Sequence, residues 1–180
     1  VCDNIKYVAF EDTYGTDSDS KYYQMRWNCH EEDNTPFVYD VLESAFEMSS
    51  AANSAINLVE YKDLLYDVFG ISKIYSLKLS MLSSGERRKL HLIRALLSNP
   101  KLLIIDNPFI GLDSQARILL VESLELLVNK IGLQIILVVS RDNDIPNFIT
   151  HVVKVEELRV GEKLFYSDCI NGEARTKKLI

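Results

Sequence analysis

The sequence predicts an α/β fold in which a parallel β-sheet is flanked by helices. In the C-terminal half, two runs at residues 102–105 and 134–139, apolar apart from Gln134, alternate with a long segment of helical spacing. Strands that alternate with helices form βαβ units, and the crossover helix makes the two strands parallel. Upstream, residues 35–98 hold three helical segments with no strand between them, which predicts a separate helical subdomain.

The N-terminal half opens with a predicted strand, because residues 5–10 alternate around β-branched and aromatic types. Thr35 before Pro36 is a helix start signal, since proline is favoured at the first helical position. In order, this half predicts a strand at 5–10, a loop at 11–20, a strand at 21–25, a loop at 26–34, and helices at 37–48, 51–69 and 84–97.

The C-terminal half begins where Asn99 and Pro100 end the third helix. The continuously apolar run at 102–105 predicts a central strand buried on both faces. In order, this half predicts a strand at 102–105, a helix from Asp113 to residue 130, a strand at 134–139, a short helix near 144–148, a strand at 151–155, a hairpin at 158–166 that turns at Gly161, and a polar tail. The predicted domains are 1–34 and 99–170 for the core, 35–98 for the helical subdomain and 171–180 for a tail or linker.

The composition is that of an ordinary globular domain. Of the 180 residues, 47% are hydrophobic and 26% are charged, which is enough apolar material for one core. The formal net charge of -6 argues against a nucleic-acid-binding surface. Residues 86–89 are predicted to form a solvated helix face, and a local nucleic-acid-binding patch there is the alternative. The three cysteines form no C-x-x-C pair, and no apolar run reaches the roughly 18 residues of a membrane span. These features predict a cytoplasmic protein.

Two interpretations fit the segment that begins the third helix. Ser83 with Glu86 three residues later is a capping box, which opens many ordinary helices. The same helix N-terminus, with Ser84 and the small residue Gly85, also offers N–H groups and hydroxyls to an anion such as phosphate. Both interpretations stay open at this point.

The apolar run at 102–105 ends in the carboxylate of Asp106. An acidic residue at the end of a strand is common, and an ordinary strand exit explains it. In parallel sheets, however, ligands bind outside the carboxyl ends of the strands, and there a carboxylate can hold Mg²⁺ through water.

The order of these motifs resembles the ATP-binding cassette (ABC) ATPases. Residues 82–86 match the signature motif of that family, with Ser84 where glycine is usual, residues 103–106 match its Walker B strand, residues 111–113 match its D-loop, and Gln24 matches its Q-loop. The resemblance implies a P-loop NTPase-like parallel sheet with flanking helices and an ABC-type helical subdomain. The motifs look most like those of tandem-cassette proteins related to molybdate-type ABC ATPases.

The resemblance also implies a role for each matched residue. Gln24 would contact Mg²⁺ or the attacking water, Asp106 would hold Mg²⁺ through water, and Asp113 would touch a dimer partner. The helix start would bind the γ-phosphate of an ATP that is held by the opposite cassette. It is formed by Ser83, Ser84, Gly85 and Glu86. The expected partners are therefore a second cassette and a membrane permease, with no nucleic acid.

The phosphate-binding loop of this family is absent from the printed sequence. That loop reads G-x-x-x-x-G-K-[ST], and none of the seven glycines begins such a pattern. In the family the loop precedes the strand that residues 8–10 resemble, so it is expected upstream of Val1. We expect a truncated piece of a longer polypeptide, and a natural gene without the loop is the alternative.

Two catalytic positions depart from the family pattern. Asn107 stands where a glutamate usually polarises the attacking water, and an amide cannot accept a proton at neutral pH. Arg141 follows Ser140, where a histidine is usual. The main hypothesis is therefore a fragment of an ABC ATPase that binds ATP and Mg²⁺ at a cassette dimer interface and is inactive alone.

Two other hypotheses remain. The first alternative is a degenerate cassette that binds ATP without hydrolysing it and serves dimerisation or regulation, as Asn107 and Arg141 favour. The second is an SMC-like DNA-repair ATPase. The short interval between Gln24 and Ser83, without sustained heptads, disfavours the SMC-like hypothesis.

Overall fold

The computed structural model describes residues 4–10, 35–50 and 58–167. The chain divides into two compact units, Val1–Ser140 and Arg141–Ile180. The strand predicted at 21–25, the loops around it, the start of the second helix and the tail lie outside the described residues. The domain divisions predicted at residues 34, 98 and 170 stay a prediction.

Three parallel strands form the sheet of the first unit. Strand β1 is Ile5–Ala9, β2 is Leu102–Asp106 and β3 is Gln134–Val138, in the order β1-β2-β3. The register places Ala9 opposite Asp106 and Asp106 opposite Val138, so the three strands end level with one another. The predicted α/β fold with a parallel sheet is confirmed.

The two faces of this sheet differ in burial. Val8, Leu103 and Ile105 are buried on one face. On the other face Tyr7 and Ile136 are exposed, and Ile104 is only half-buried. The prediction that β2 is buried on both faces is therefore wrong for this structure, because the helices of the described residues cover one face only.

Three helices precede the central strand. Helix α1 is Val38–Ser50, α2 is Leu58–Phe69 and α3 is Ser84–Leu96, which confirms the three predicted helices where they are described. The predicted start at Thr35 and Pro36 is wrong, because α1 begins at Val38 and the Thr35 hydroxyl is hydrogen-bonded to that of Ser80. The link between α2 and α3 contains two short 3-10 helices, Ile71–Lys73 and Leu79–Met81. The C-terminal end of α3 is held from both neighbouring helices, since the hydroxyls of Ser49 and Tyr61 donate to the carbonyls of Leu97 and Leu96 at 2.7 and 3.0 Å.

Helix α4, Ser114–Ile131, crosses from β2 to β3. It begins at the cap Asp113 and ends at Gly132, whose φ of 68° is the left-handed conformation that favours glycine. Both ends agree with the sequence signals. No helix within the described ranges has the length and apolar character needed to cross a membrane.

The second unit contains an antiparallel hairpin of β4, His151–Glu156, and β5, Arg159–Phe165. The chain turns at Glu157 and Leu158, so the predicted turn at Gly161 is wrong. Gly161 lies inside β5 at an irregularity in its register with β4, where a Cβ would come within 2.9 Å of the Lys154 carbonyl oxygen.

The short helix predicted near residues 144–148 is also wrong. A 3-10 helix occupies Asp142–Asp144 instead, and Ile145 after it is extended. Pro146 explains the difference, because a proline pushes the preceding residue out of the helical region.

Candidate functional site

The candidate site lies at the carboxyl edge of the sheet, and Asp106 ends its central strand. Backbone hydrogen bonds tie the three strand ends together. The Phe10 N–H donates to the Asp106 carbonyl at 3.0 Å, and the Asn107 N–H donates to the Val138 carbonyl at 3.0 Å. Ligands of open parallel sheets bind at this edge.

The carboxylate of Asp106 accepts a hydrogen bond from the neighbouring strand. The Tyr7 hydroxyl donates to its Oδ2 atom at 3.0 Å. Among the described residues no group of three or more histidine, cysteine or acidic side chains could hold a metal ion. A single carboxylate at a strand end nevertheless fits Mg²⁺, which keeps several waters and is commonly held by one or two carboxylates together with phosphate oxygens.

Asn107 begins the loop between β2 and α4 in a left-handed conformation, with φ of 51°. Asparagine adopts this conformation more readily than most residues. Its carbonyl accepts from the Ile110 N–H at 3.3 Å, so the loop folds back immediately after the strand. Asn107 is therefore both an amide beside Asp106 and a residue suited to the backbone turn.

The start of helix α3 is a complete capping box. The Ser83 hydroxyl accepts from the Glu86 N–H at 3.3 Å, and the Ser83 N–H donates to Glu86 Oε2 at 2.8 Å. The Ser83 hydroxyl also donates to that oxygen at 2.7 Å. These bonds from the Ser83 hydroxyl and N–H lower the pKa of Glu86 and keep its carboxylate charged. The capping interpretation is confirmed, and the phosphate interpretation stays a prediction.

The start of α3 lies beside the loop that follows β2. A Cβ on Gly85 would lie 3.8 Å from Leu112 and 3.9 Å from Ala116, which is ordinary van der Waals contact. Gly111 has a φ of 64°, and a Cβ there would come within 3.2 Å of Arg88 Nη2. The segments that resemble the signature motif and the D-loop are therefore packed together within this chain.

Arg88 connects this loop to the end of β1. Its guanidinium carbon lies 5.1 Å from the centroid of the Phe10 ring, and its Nη1 atom is buried. The Nη2 atom of Arg87 is buried as well, so the prediction that residues 86–89 form a solvated helix face is wrong for both arginines. The sequence carries no local signal for this contact, because Phe10 is distant in the chain and the pairing depends on how α3 crosses the sheet.

The other predicted site residues are placed as follows. The exposed carboxylate of Asp113 caps α4 by accepting from the Ala116 N–H at 2.8 Å. Ser84 is exposed in the first turn of α3. Arg141 is exposed and belongs to the second unit, where it precedes the 3-10 helix. Gln24 lies outside the described residues. Tyr7 was not predicted as a site residue, and only the register of β1 against β2 reveals it.

The chain is similar to a known protein family over more than half of its length. The family model for "ABC transporter" matches residues 8–110, which is more than half of the chain. The chain belongs to the ABC transporter family. The resemblance inferred from the sequence motifs is confirmed.

Individual relatives agree with this family. The chain is 43% identical over 81 residues to the ABC transporter ATP-binding protein ModF of Escherichia coli, covering 45% of this chain and 16% of that protein. It is 42% identical over 69 residues to the zinc import ATP-binding protein ZnuC of Acinetobacter baylyi, covering 38% and 27%. It is 27% identical over 129 residues to the molybdenum import ATP-binding protein ModC of Pseudomonas fluorescens, covering 68% and 35%.

A solved structure shows the same fold. The cbiO1 protein of Clostridium perfringens, part of the ABC transporter complex cbiONQ, aligns with a TM-score of 0.66 at 19% identity. The alignment covers 98% of this ABC chain and 63% of that protein. The chain thus spans less than two thirds of the length of each of these proteins.

Proposed function

We propose that the full-length protein binds ATP with Mg²⁺ between two cassettes and couples it to transport across a membrane. The observation that carries this proposal is the position of Asp106 at the end of the central parallel strand in a chain of the ABC transporter family. Several relatives are named as import ATP-binding proteins, which supports import as the process. The protein would work at the cytoplasmic face with a membrane permease.

The residues of this chain would contribute to two ATP sites, one in their own cassette and one in the second cassette. Asp106 and Gln24 would hold Mg²⁺ and the attacking water at the site of their own cassette. The exposed start of α3, with Ser83, Ser84 and Gly85, would close over the γ-phosphate of an ATP held by the second cassette, because helix N-termini bind anions. Asp113 would meet the partner at the same interface.

A degenerate cassette is the second candidate function. Asn107 supports it, since an amide orients water but does not accept its proton. In this form ATP would close the two cassettes without turnover at this site, and the paired site would hydrolyse. Arg141, at the position where the family usually has a histidine, also supports a degenerate cassette.

The test uses the full-length protein, because the 180 residues contain no phosphate-binding loop. We expect Mg²⁺-dependent ATP binding that Asp106→Asn weakens by at least about tenfold, since the carboxylate is the metal-facing group. Glu43→Gln is the matched control, because that carboxylate binds Lys62 instead. Equal ATP affinity for the wild type and Asp106→Asn would contradict the proposal.

A further inference from the structure

The contact between Tyr7 and Asp106 crosses from one strand to the next at the candidate site. Tyr7 lies opposite Ile104 in the parallel register, and Asp106 is two residues further along β2. Side chains two residues apart share a sheet face, so the tyrosine ring and the carboxylate project to the same side. The hydroxyl then reaches Oδ2 of Asp106 diagonally, at 3.0 Å.

This contact forms although Tyr7 is mostly exposed. The side chain of Tyr7 is 61% exposed, so water could satisfy its hydroxyl, yet the hydroxyl donates to the carboxylate. Around it, the same sheet face presents apolar side chains such as Ile5, Ile136 and Val138. An exposed hydrogen bond adds little to fold stability, so its main consequence is the orientation of the carboxylate.

We propose that Tyr7 is a positioning residue for Asp106. By holding Oδ2, the hydroxyl fixes the carboxylate rotamer and leaves Oδ1 to accept a hydrogen bond from a Mg²⁺-bound water. Carboxylates that serve metals are commonly held in this way by a second hydrogen-bonding group. This inference rests on the proposed function, because it assigns a purpose to Asp106 that only a nucleotide with Mg²⁺ would use.

The test compares Tyr7→Phe with the wild type in the full-length protein. ATP affinity is measured by calorimetry in Mg²⁺ and again in EDTA, and Mn²⁺ affinity in the presence of ATP is measured by electron paramagnetic resonance. We expect Tyr7→Phe to weaken ATP affinity in Mg²⁺ and Mn²⁺ affinity by about 3- to 10-fold, with ATP affinity in EDTA unchanged. Tyr75→Phe is the matched control, since its hydroxyl also donates to a carboxylate, Glu43, at 2.9 Å.

The outcomes separate this inference from the function on which it rests. If the wild type shows no Mg²⁺-dependent ATP binding, the proposed function fails. If the wild type binds and Tyr7→Phe differs from it by less than about threefold, or loses affinity equally in EDTA, the positioning role of Tyr7 is overturned. A second comparison, made in a variant that lacks the Asp106 carboxylate, separates a lost Tyr7–Asp106 contact from a general loss of folding. Tyr7→Phe in an Asp106→Asn background should change nothing further, and an additional loss there also overturns the inference.

Discussion

At the residue scale, Asn107 combines two demands that the sequence alone does not separate. As an amide it lacks the basicity of the glutamate that the resemblance to ABC ATPases implies at this position, and as a residue at φ of 51° it suits the turn after β2. A glutamate at this position would regain a general base but would adopt the left-handed conformation less readily. The chemical and conformational effects of a substitution there must therefore be measured apart.

We predict that Asn107→Glu raises the ATP turnover of the full-length protein by at least about tenfold, because a positioned general base contributes about 10²- to 10⁴-fold. Asn107→Gln is the matched control, since it has the same length and backbone preference without the base. Both variants should lose similar stability, on the order of 1 kcal/mol, from the left-handed backbone. Turnover assays and thermal unfolding measure the two effects. No rate gain, or an equal gain in Asn107→Gln, would count against the degenerate-site hypothesis.

Two tyrosines of α2 differ in whether their hydroxyl groups are hydrogen-bonded. The Tyr61 hydroxyl donates to the Leu96 carbonyl, whereas the buried Tyr66 hydroxyl has no hydrogen-bond partner in the described part of the chain. Burial raises the pKa of both phenols. We predict that Tyr61→Phe lowers the free energy of unfolding by about 1 kcal/mol and that Tyr66→Phe leaves it unchanged or raises it by up to about 1 kcal/mol. Denaturant unfolding tests this, and equal losses would refute it.

At the element scale, the predictions that held rest on signals within a few residues. The capping box of α3 and the Asp113 and Gly132 ends of α4 are local, so the sequence contains them in full. Most of the predictions that were wrong depend on distant partners, and the short helix near residues 144–148 is an exception, because Pro146 lies within that segment. Burial of one sheet face depends on which helices cover it, and the role of Gly161 depends on how β5 pairs with β4 at a register irregularity. The contacts of Tyr7 and Arg88 likewise follow from strand register and helix packing.

Two glycines near the start of α3 should respond differently to alanine. At Gly85 the added Cβ meets only ordinary contacts, and helical alanine is favoured over glycine by up to about 1 kcal/mol, so stability should not fall. At Gly111 the left-handed φ and the nearby Arg88 should make alanine cost on the order of 1 kcal/mol. Thermal unfolding checks this order. If Gly85→Ala nevertheless abolishes ATP-driven dimerisation of the full-length protein, its backbone must approach phosphate.

At the scale of the whole molecule, the described residues would supply only one side of the proposed nucleotide site. Asp106 ends the central strand and α3 presents a capped N-terminus, but the sequence holds no glycine-lysine loop to grip the phosphates. The sheet also has an exposed apolar face. Parallel sheets are usually covered on both faces, and here Ile5 and Ile136 are exposed on one of them.

We therefore predict that the 180-residue chain alone binds ATP weakly or not at all, even with Mg²⁺ present. Asp106 would contribute through a bridging water, and the capped start of α3 would contact only the γ-phosphate, so neither replaces the array of N–H groups and the lysine of a phosphate-binding loop. Calorimetric titration of the isolated chain should show no saturation at micromolar ATP. Micromolar ATP affinity would mean that these residues bind the phosphates through contacts that the motifs do not reveal. A parallel titration with Asp106→Asn would then report whether the carboxyl edge of the sheet provides those contacts.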